Sequence, residues 1–453
     1  MSEPNDPHER AVDWRNWAGD QSCRPAAVEL PGSIEEISEA IVRAGAHDRR
    51  VRVAGAGHSF SDIALTDGSQ LHLGRLANVL DVDRSSGLVR VQGGITIREC
   101  NACLAEHGLA LENLGDIDVQ SIAGAISTAT HGTGARLRNI SAQVAELTLV
   151  LADGSTLRCA EEIDAEVFRA ARVGLGALGV IAEVTLRCVP AFTLCGVNAP
   201  APLNDTLARF EELALGNDHF EFFVFPHVDT ALTRTNNRTD QPPRPCGRVS
   251  AYANDVLLTN HAFELLCRAG RRFPRRIPQL NRLVTRLAGA RARVDRSDRI
   301  FASPRLVRFT EMEYALPRER TPEAVNRIMA LVRSRNFAVP FPIEVRTVAP
   351  DDALLSTAAG RDSGFVAVHM YRGMAWEPYF RAVEAIMDEL GGRPHWGKRH
   401  FQTAATLRPR YPDWDRFQAV RARLDPEGRF ANAWTDRVLG PVNPVQPTAP
   451  ADG

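Results

Sequence analysis

Three stretches dense in glycine and small residues fall between residues 55 and 181: "VAGAGHSFSD" around Gly55 and Gly57, "GAISTATHGTG" from Gly124 to Gly134, and "GLGALGVI" from Gly174 to Ile181. Glycine weakens helices and strands because it loses the most backbone freedom on ordering. A chain that keeps clustering it needs backbone that turns tightly or approaches something closely. Small residues with free N–H groups are what a pyrophosphate requires. One such loop is usually only a turn, but three in one domain imply a long phosphate-containing ligand cradled by backbone. The first loop follows a strand without being a dinucleotide fingerprint. Phe60 stands where G-x-G-x-x-G has its third glycine, and no helical pattern follows.

The surrounding text predicts an α+β domain. "EEISEAIVRAGAH" and "TIRECNACLAEHG" carry helical spacing, and "RVRVAG", "LVRVQGG" and "GVIAEVTLRCV" read as strands. "VAELTLVLADGSTLRC" reads as a hairpin turning at its Asp-Gly. After Pro190 the character changes. "FEFFVFP", "RFTEMEYALP", "FPIEVRTV" and "GFVAVHMY" predict strands separated by helices such as "TPEAVNRIMALVRSR", a second α+β domain with a mostly antiparallel sheet. At 453 residues two domains are expected in any case. The Pro-rich end, residues 441–453, predicts a disordered tail.

A net charge of −1 argues against a nucleic-acid partner. The N-terminus lacks the basic start and apolar run of a secretory signal, and no stretch approaches the roughly 18 apolar residues of a membrane span. Of eight cysteines only Cys100 and Cys103 are close, in a helical pattern that favours packing over metal or redox chemistry. These facts suggest a reducing cytoplasm and no bound metal. Residues 268–299 mix arginine with Leu, Ile, Val and Phe; a solvated helix face is the simpler reading, and peripheral membrane contact the alternative.

Lys398, in "RPHWGKRH", is the only lysine beside 53 arginines. Drift from lysine to arginine costs little at a surface. It fails where a compact ammonium is needed in place of a wide guanidinium fork, as at a reacting centre. Glu344 and Arg346 in "PIEVRT" lie two apart on a strand and so share one face, which suits either a structural ion pair or a binding site.

"GAGHSFSD" resembles the flavinylation loop of the vanillyl-alcohol-oxidase superfamily of FAD proteins. "NWAGDQSC", "ENLGDIDVQSIAGAISTATHGTG", "AARVGLGALGVIAEVTLRCVP", "EMEYALPRE", "FPIEVRTVAPDD", "RPHWGKRH" and "LDPEGRFANAW" resemble its sugar-1,4-lactone branch, the L-gulono-1,4-lactone oxidases and dehydrogenases and D-arabinono-1,4-lactone oxidases. The resemblance runs from about Trp14 to Leu439. It implies an FAD domain of the PCMH type at 14–190, a substrate cap at 191–420 and a segment at 421–440 returning to the FAD domain. It implies FAD bonded through the His58 imidazole to the 8α-methyl, a substituent that raises the flavin's potential. Gly55, Ala56, Gly57, Ser59, Gly115, Gly124, Ser127, Thr128, Thr130, His131, Gly132, Gly134, Gly179 and Ile181 are the cofactor contacts it implies. In the cap it implies that Arg346 polarises the reacting hydroxyl, that Glu344 orients the sugar, and that Lys398 stabilises charge near flavin N1. His369 and His400 are candidates for the same pocket.

The resemblance therefore implies oxidation of a sugar 1,4-lactone, with O2 or another electron carrier as acceptor. An alditol or other carbohydrate oxidase, and a non-catalytic flavin-binding redox protein, are the rivals. The second rival would be expected to have lost Glu344, Arg346 or Lys398. Asp116 departs from the animal-type pattern, where a small neutral residue stands, and puts substrate identity in question. Gly115 leaves open the path by which oxygen would reach the flavin, where dehydrogenases carry an alanine methyl.

Overall fold

The computed structural model describes residues 13–245, 260–303 and 305–442. Most of the predicted tail, 443–453, lies outside these residues.

The N-terminal half builds a small parallel sheet and a larger antiparallel one. Ala27–Glu29, Ser69–Leu71 and Val51–Val53 pair in parallel, with Ser69–Leu71 central. Helix Ile34–Ala46 covers them, its first turn capped by Ser33 accepting from the Glu36 N–H. Its buried positions Ile37, Ala40, Ile41 and Ala44 repeat at helical spacing and pack with Val51, Leu71 and Val180. The antiparallel sheet runs Thr156–Ala160, Val144–Val150, Val180–Arg187, Leu88–Gln92, Val79–Asp83. The expected Asp-Gly hairpin is its first pair, closing between Val150 and Thr156.

Past Pro190 the chain forms an eight-stranded antiparallel sheet in the order Arg291–Arg296, Thr193–Pro202, Thr230–Thr239, His219–Val224, Ile343–Val348, Ser363–Tyr371, Phe309–Pro317, Arg393–Pro394. Strand alternation gives its centre two unlike faces. Phe222, Met312, Tyr314, Val345, Val366 and Val368 point into a core shared with helices Thr321–Arg335 and Glu377–Glu389. The alternate positions include Glu221, Glu311, Glu313, Glu344, Arg346 and His369 on the other face, with Phe365 and Ala367 among them.

Helices Trp414–Leu424 and Ala433–Leu439 bury Phe417, Val420, Trp434 and Val438 in the core of the N-terminal half, beside Val89 and Ile126. Buried Arg52 fastens the junction. It donates to the carbonyls of Ile63, Leu175, Gly176 and Phe430, one guanidinium joining the first glycine loop, the third and the returning segment.

The arginine-rich segment is only partly helical. Phe263–Arg272 and Ile277–Leu287 are helices, but Arg291–Arg296 is the edge strand of the large sheet. Its helices expose Leu265, Leu283 and Leu287, with Phe273 exposed at their junction. Cys100 and Cys103 sit in helix Ile97–Glu106 as free thiols, Cys100 buried in the core. No helix among the described residues is long and apolar enough to cross a membrane.

Candidate active site and cofactor cleft

The three glycine loops line one cavity of about 330 Å3. Gly55, Ala56, Gly57, His58 and Ser59 form one wall, Gly124, Ser127 and Thr128 another, Gly179 and Ile181 a third. Gly57 has φ +70, a left-handed geometry that favours glycine. None of the backbone N–H groups of residues 55 to 59 donates to a backbone carbonyl among the described residues. A consecutive run of unspent donors on a cavity wall is the donor set a pyrophosphate needs, so the residues present fit a dinucleotide cofactor. Ser121, Thr96 and His72 also line it and were not singled out from the sequence, and Gly176 of the third loop joins them. Their polar and glycine chemistry is too common in loops to stand out.

The other five residues expected at the cofactor lie just beyond this cavity's lining. A Cβ on Gly132 would fall 2.2 Å from the Leu114 carbonyl oxygen, so glycine there permits loop two to pack on the Leu114–Gly115 turn. The Gly134 N–H donates to the Thr347 carbonyl at 2.8 Å, tying loop two to the strand bearing Glu344 and Arg346. His131 is buried, its Nε2 3.5 Å from Glu313. Thr130 Oγ1 is buried without a protein partner, and Gly115 lies against the His131 carbonyl.

His58 stacks on Trp17, ring centroids 5.2 Å apart. Burial, then the nearby Lys398 ammonium, pull its imidazole down to about 4. It is neutral at physiological pH, with a nucleophilic nitrogen lone pair.

The charged face of the large sheet stands against these loops. Arg346 pairs with Glu344 and donates from Nε to Glu221 at 2.9 Å, and its Nη2 lies 3.4 Å from Asp116. Asp116 is itself paired with Arg305. Burial drives the Asp116 carboxyl up, but Arg305 and Arg346 outweigh it and hold it well below the usual range. The departure noted in the sequence is thus no bare carboxylate but the bridge between two guanidiniums. Glu344 goes the other way: burial pushes it up to about 7, against the pull of Arg346 and with Asp116 and Glu221 adding like charge.

Lys398 Nζ lies 2.5 Å from Glu311 and 5.3 Å from the centre of the Phe60 ring. Burial disfavours its charge, yet Glu311 and Glu313 more than reverse this, so the ammonium titrates above its ordinary range. His369 faces Glu311 across paired strands, with Nε2 3.5 Å from Glu311 and 3.7 Å from Glu344. Its Nδ1 meets the Pro342 carbonyl at 3.0 Å. Burial lowers the imidazole and Glu311 raises it further, for a net upward shift.

Glu344, Arg346, Lys398 and His369 therefore meet in one polar cluster. His400 does not join it through any hydrogen bond or ion pair among the described residues. It packs against Trp396 and Trp434 and lines a different cavity. Sequence reasoning gave no role to Glu311, Glu313, Glu221 or Arg305. For the first two a signal existed: "EMEY" alternates charged and apolar residues as "PIEVRT" does. Glu221 and Arg305 reach Arg346 and Asp116 only through long-range packing.

Comparison with known proteins agrees with this architecture. Residues 25–160 match the FAD binding domain family and residues 184–438 the D-arabinono-1,4-lactone oxidase family. The chain is 53% identical over 428 residues to the L-gulono-1,4-lactone dehydrogenase of Mycobacterium tuberculosis, covering 94% of this chain and 99% of that one. It is 36% identical over 440 residues to the L-gulonolactone oxidase of Bos taurus, covering 95% and 99%. Among solved structures, a cholesterol oxidase from B. sterolicum superposes with a TM-score of 0.82 at 18% identity, covering 97% of this chain and 99% of that one, a likeness of fold alone. The α+β flavoprotein fold implied by the sequence is the fold found, and with its carboxy-terminal half matching throughout, the chain belongs to the D-arabinono-1,4-lactone oxidase family.

Proposed function

We propose that the chain oxidises the secondary hydroxyl beside the carbonyl of a sugar 1,4-lactone, giving a keto-lactone that enolises to ascorbate or an analogue. The observation that carries this reading is the cluster of Arg346, Glu344, Lys398 and His369 on one sheet face against the cavity of the three glycine loops. FAD, held by those loops, would supply the hydride acceptor. Residues 14–190 with 421–440 form the cofactor half and 191–420 the substrate cap.

Arg346 is fixed by three carboxylates, so it presents its remaining donors in a set direction and holds the substrate hydroxyl. Glu344, near neutrality, accepts the hydroxyl proton, and His369 supports it from 3.7 Å. Lys398, kept cationic by Glu311 and Glu313, stabilises negative charge developing beside the reacting oxygen.

The neutral His58 imidazole supports covalent attachment of FAD. Acid-precipitated protein is expected to stay yellow; a colourless pellet with all flavin in the supernatant contradicts the bond. Gly115 presents no methyl, which supports reoxidation by O2. A turnover screen of lactones against open polyols, with O2 and with an artificial acceptor, tests substrate and acceptor together. Lactone turnover producing hydrogen peroxide is expected, and turnover of polyols alone would place the chain with alditol oxidases.

The exposed Leu265, Phe273, Leu283 and Leu287 alternate with Arg271, Arg272, Arg275, Arg276, Arg282 and Arg286. Apolar side chains among cations fit an anionic lipid surface, which supports peripheral membrane contact through this segment.

A further inference from the structure

A second cavity, of about 400 Å3, opens beyond the His58 loop, and Ser61 lines both it and the cofactor cavity. Its wall holds Arg381, Arg399, Arg437, Trp376, Phe401 and His400, together with one carboxylate, Asp62, which is paired with Arg437. Nothing in the proposed oxidation uses these groups.

The guanidiniums are fixed in place. Arg399 lies 4.2 Å over the Trp376 ring, donates from Nε to Thr310 Oγ1 and pairs with Asp20 at 2.7 Å. Arg381 lies 3.8 Å over the Phe401 ring and pairs with Glu377 at 2.7 Å. The two rings are nearly parallel, 11° apart with centroids at 6.2 Å, so cation, ring, ring and cation form one stack. Arg437 donates to the carbonyls of His400 and Gln402 and pairs with Asp62 at 3.2 Å.

A guanidinium carries five donors, and one carboxylate uses at most two. Nη1 of Arg381 and Nη1 of Arg399 have no protein acceptor among the described residues. His400 is 6% exposed, and neither ring nitrogen has a protein partner. Burial, then Arg437, hold its imidazole down to about 3, so it is neutral and keeps one N–H to donate. A buried donor left unpaired at a cavity wall is destabilising unless something accepts from it. Planar forks with spare N–H groups match the oxygens of a carboxylate or phosphate. A neutral lactone offers no such partner.

We propose that this cavity binds a small organic oxyanion, a carboxylate or a phosphate ester, as a ligand separate from both lactone and FAD. The test is calorimetric titration of the full-length flavin-loaded protein with inorganic phosphate and, separately, with succinate, against sodium chloride at equal ionic strength. Saturable one-to-one binding of at least one oxyanion is expected, weakened about tenfold or more by Arg381→Gln and by His400→Gln. Arg381 is half exposed on a helix surface, so Arg381→Gln should keep its fold and its lactone turnover. Binding of phosphate alone marks a phosphate ester site and of succinate alone a carboxylate site. No saturable heat with either, or binding unchanged in both variants, overturns the proposal.

Discussion

Lys398 is the one lysine beside 53 arginines, and it is set in the charged cluster. Nζ sits beside Glu311 and over the Phe60 ring, where a compact ammonium and a wide guanidinium fork are not interchangeable. Loss of one preorganised cation beside developing charge typically costs about 3 kcal/mol, or ~100-fold in rate. Lys398→Met should therefore reduce flavin about that much more slowly while keeping it bound, and Lys398→Arg, which keeps the charge but not the compact ammonium, should also be slowed; stopped-flow reduction within a few-fold of the natural protein in both would mark the lysine as a compositional accident. Glu344 gives a pH signature. Its carboxyl is raised from 4.5 to about 7, so the folded state holds that proton more tightly than the unfolded chain. The associated stability is present below about 4.5 and lost as pH rises through about 7, whereas proton acceptance by the carboxylate is gained over the same interval. The reduction rate should rise with pH through about 7 and lose that limb in Glu344→Gln; an unchanged limb in the variant removes Glu344 as the acceptor.

Alternation made the strands legible: "PIEVRT" and "EMEY" separate a core face from a charged one by their period of two. What alternation does not contain is strand order. Glu221 meets Arg346 because His219–Val224 pairs with Ile343–Val348, an association across more than a hundred residues of chain. The glycine loops show the same division. Their small-residue density was plain, but their convergence depends on Arg52, an ordinary strand residue in the sequence that proves to bind carbonyls of distant segments. His400 lines the second cavity, a placement that residue spacing in a motif does not contain. Gly132 offers a check at this scale. Its Cβ would collide with backbone 2.2 Å away, a contact no side-chain motion relieves. Gly132→Ala should cost several kcal/mol of thermal stability and most bound flavin; a variant that melts and loads normally would refute the packing account of loop two.

At the scale of the molecule the returning segment matters most. Asn432 donates to carbonyls of Asp62, Ile63 and Leu65, so the end of the chain braces the loop that carries His58. Charge as well as apolar contact joins the two halves, since Asp116 of one binds Arg305 and Arg346 of the other. The same molecule carries cations and exposed leucines on helices Phe263–Arg272 and Ile277–Leu287. It should co-sediment with phosphatidylglycerol-containing vesicles and not with pure phosphatidylcholine, and Leu287→Asp with Arg282→Glu should release it; equal behaviour on both vesicles contradicts lipid contact. The central claim is that the polar face of the cap presents a lactone hydroxyl to flavin in the three-loop cavity. Anaerobic mixing of the purified flavoprotein with L-gulono-1,4-lactone tests it most directly. Saturable bleaching of the flavin band, at least ~100-fold slower in Lys398→Met, is the predicted result. Flavin left oxidised by this and by D-arabinono-1,4-lactone, while an open polyol bleaches it, would contradict the account.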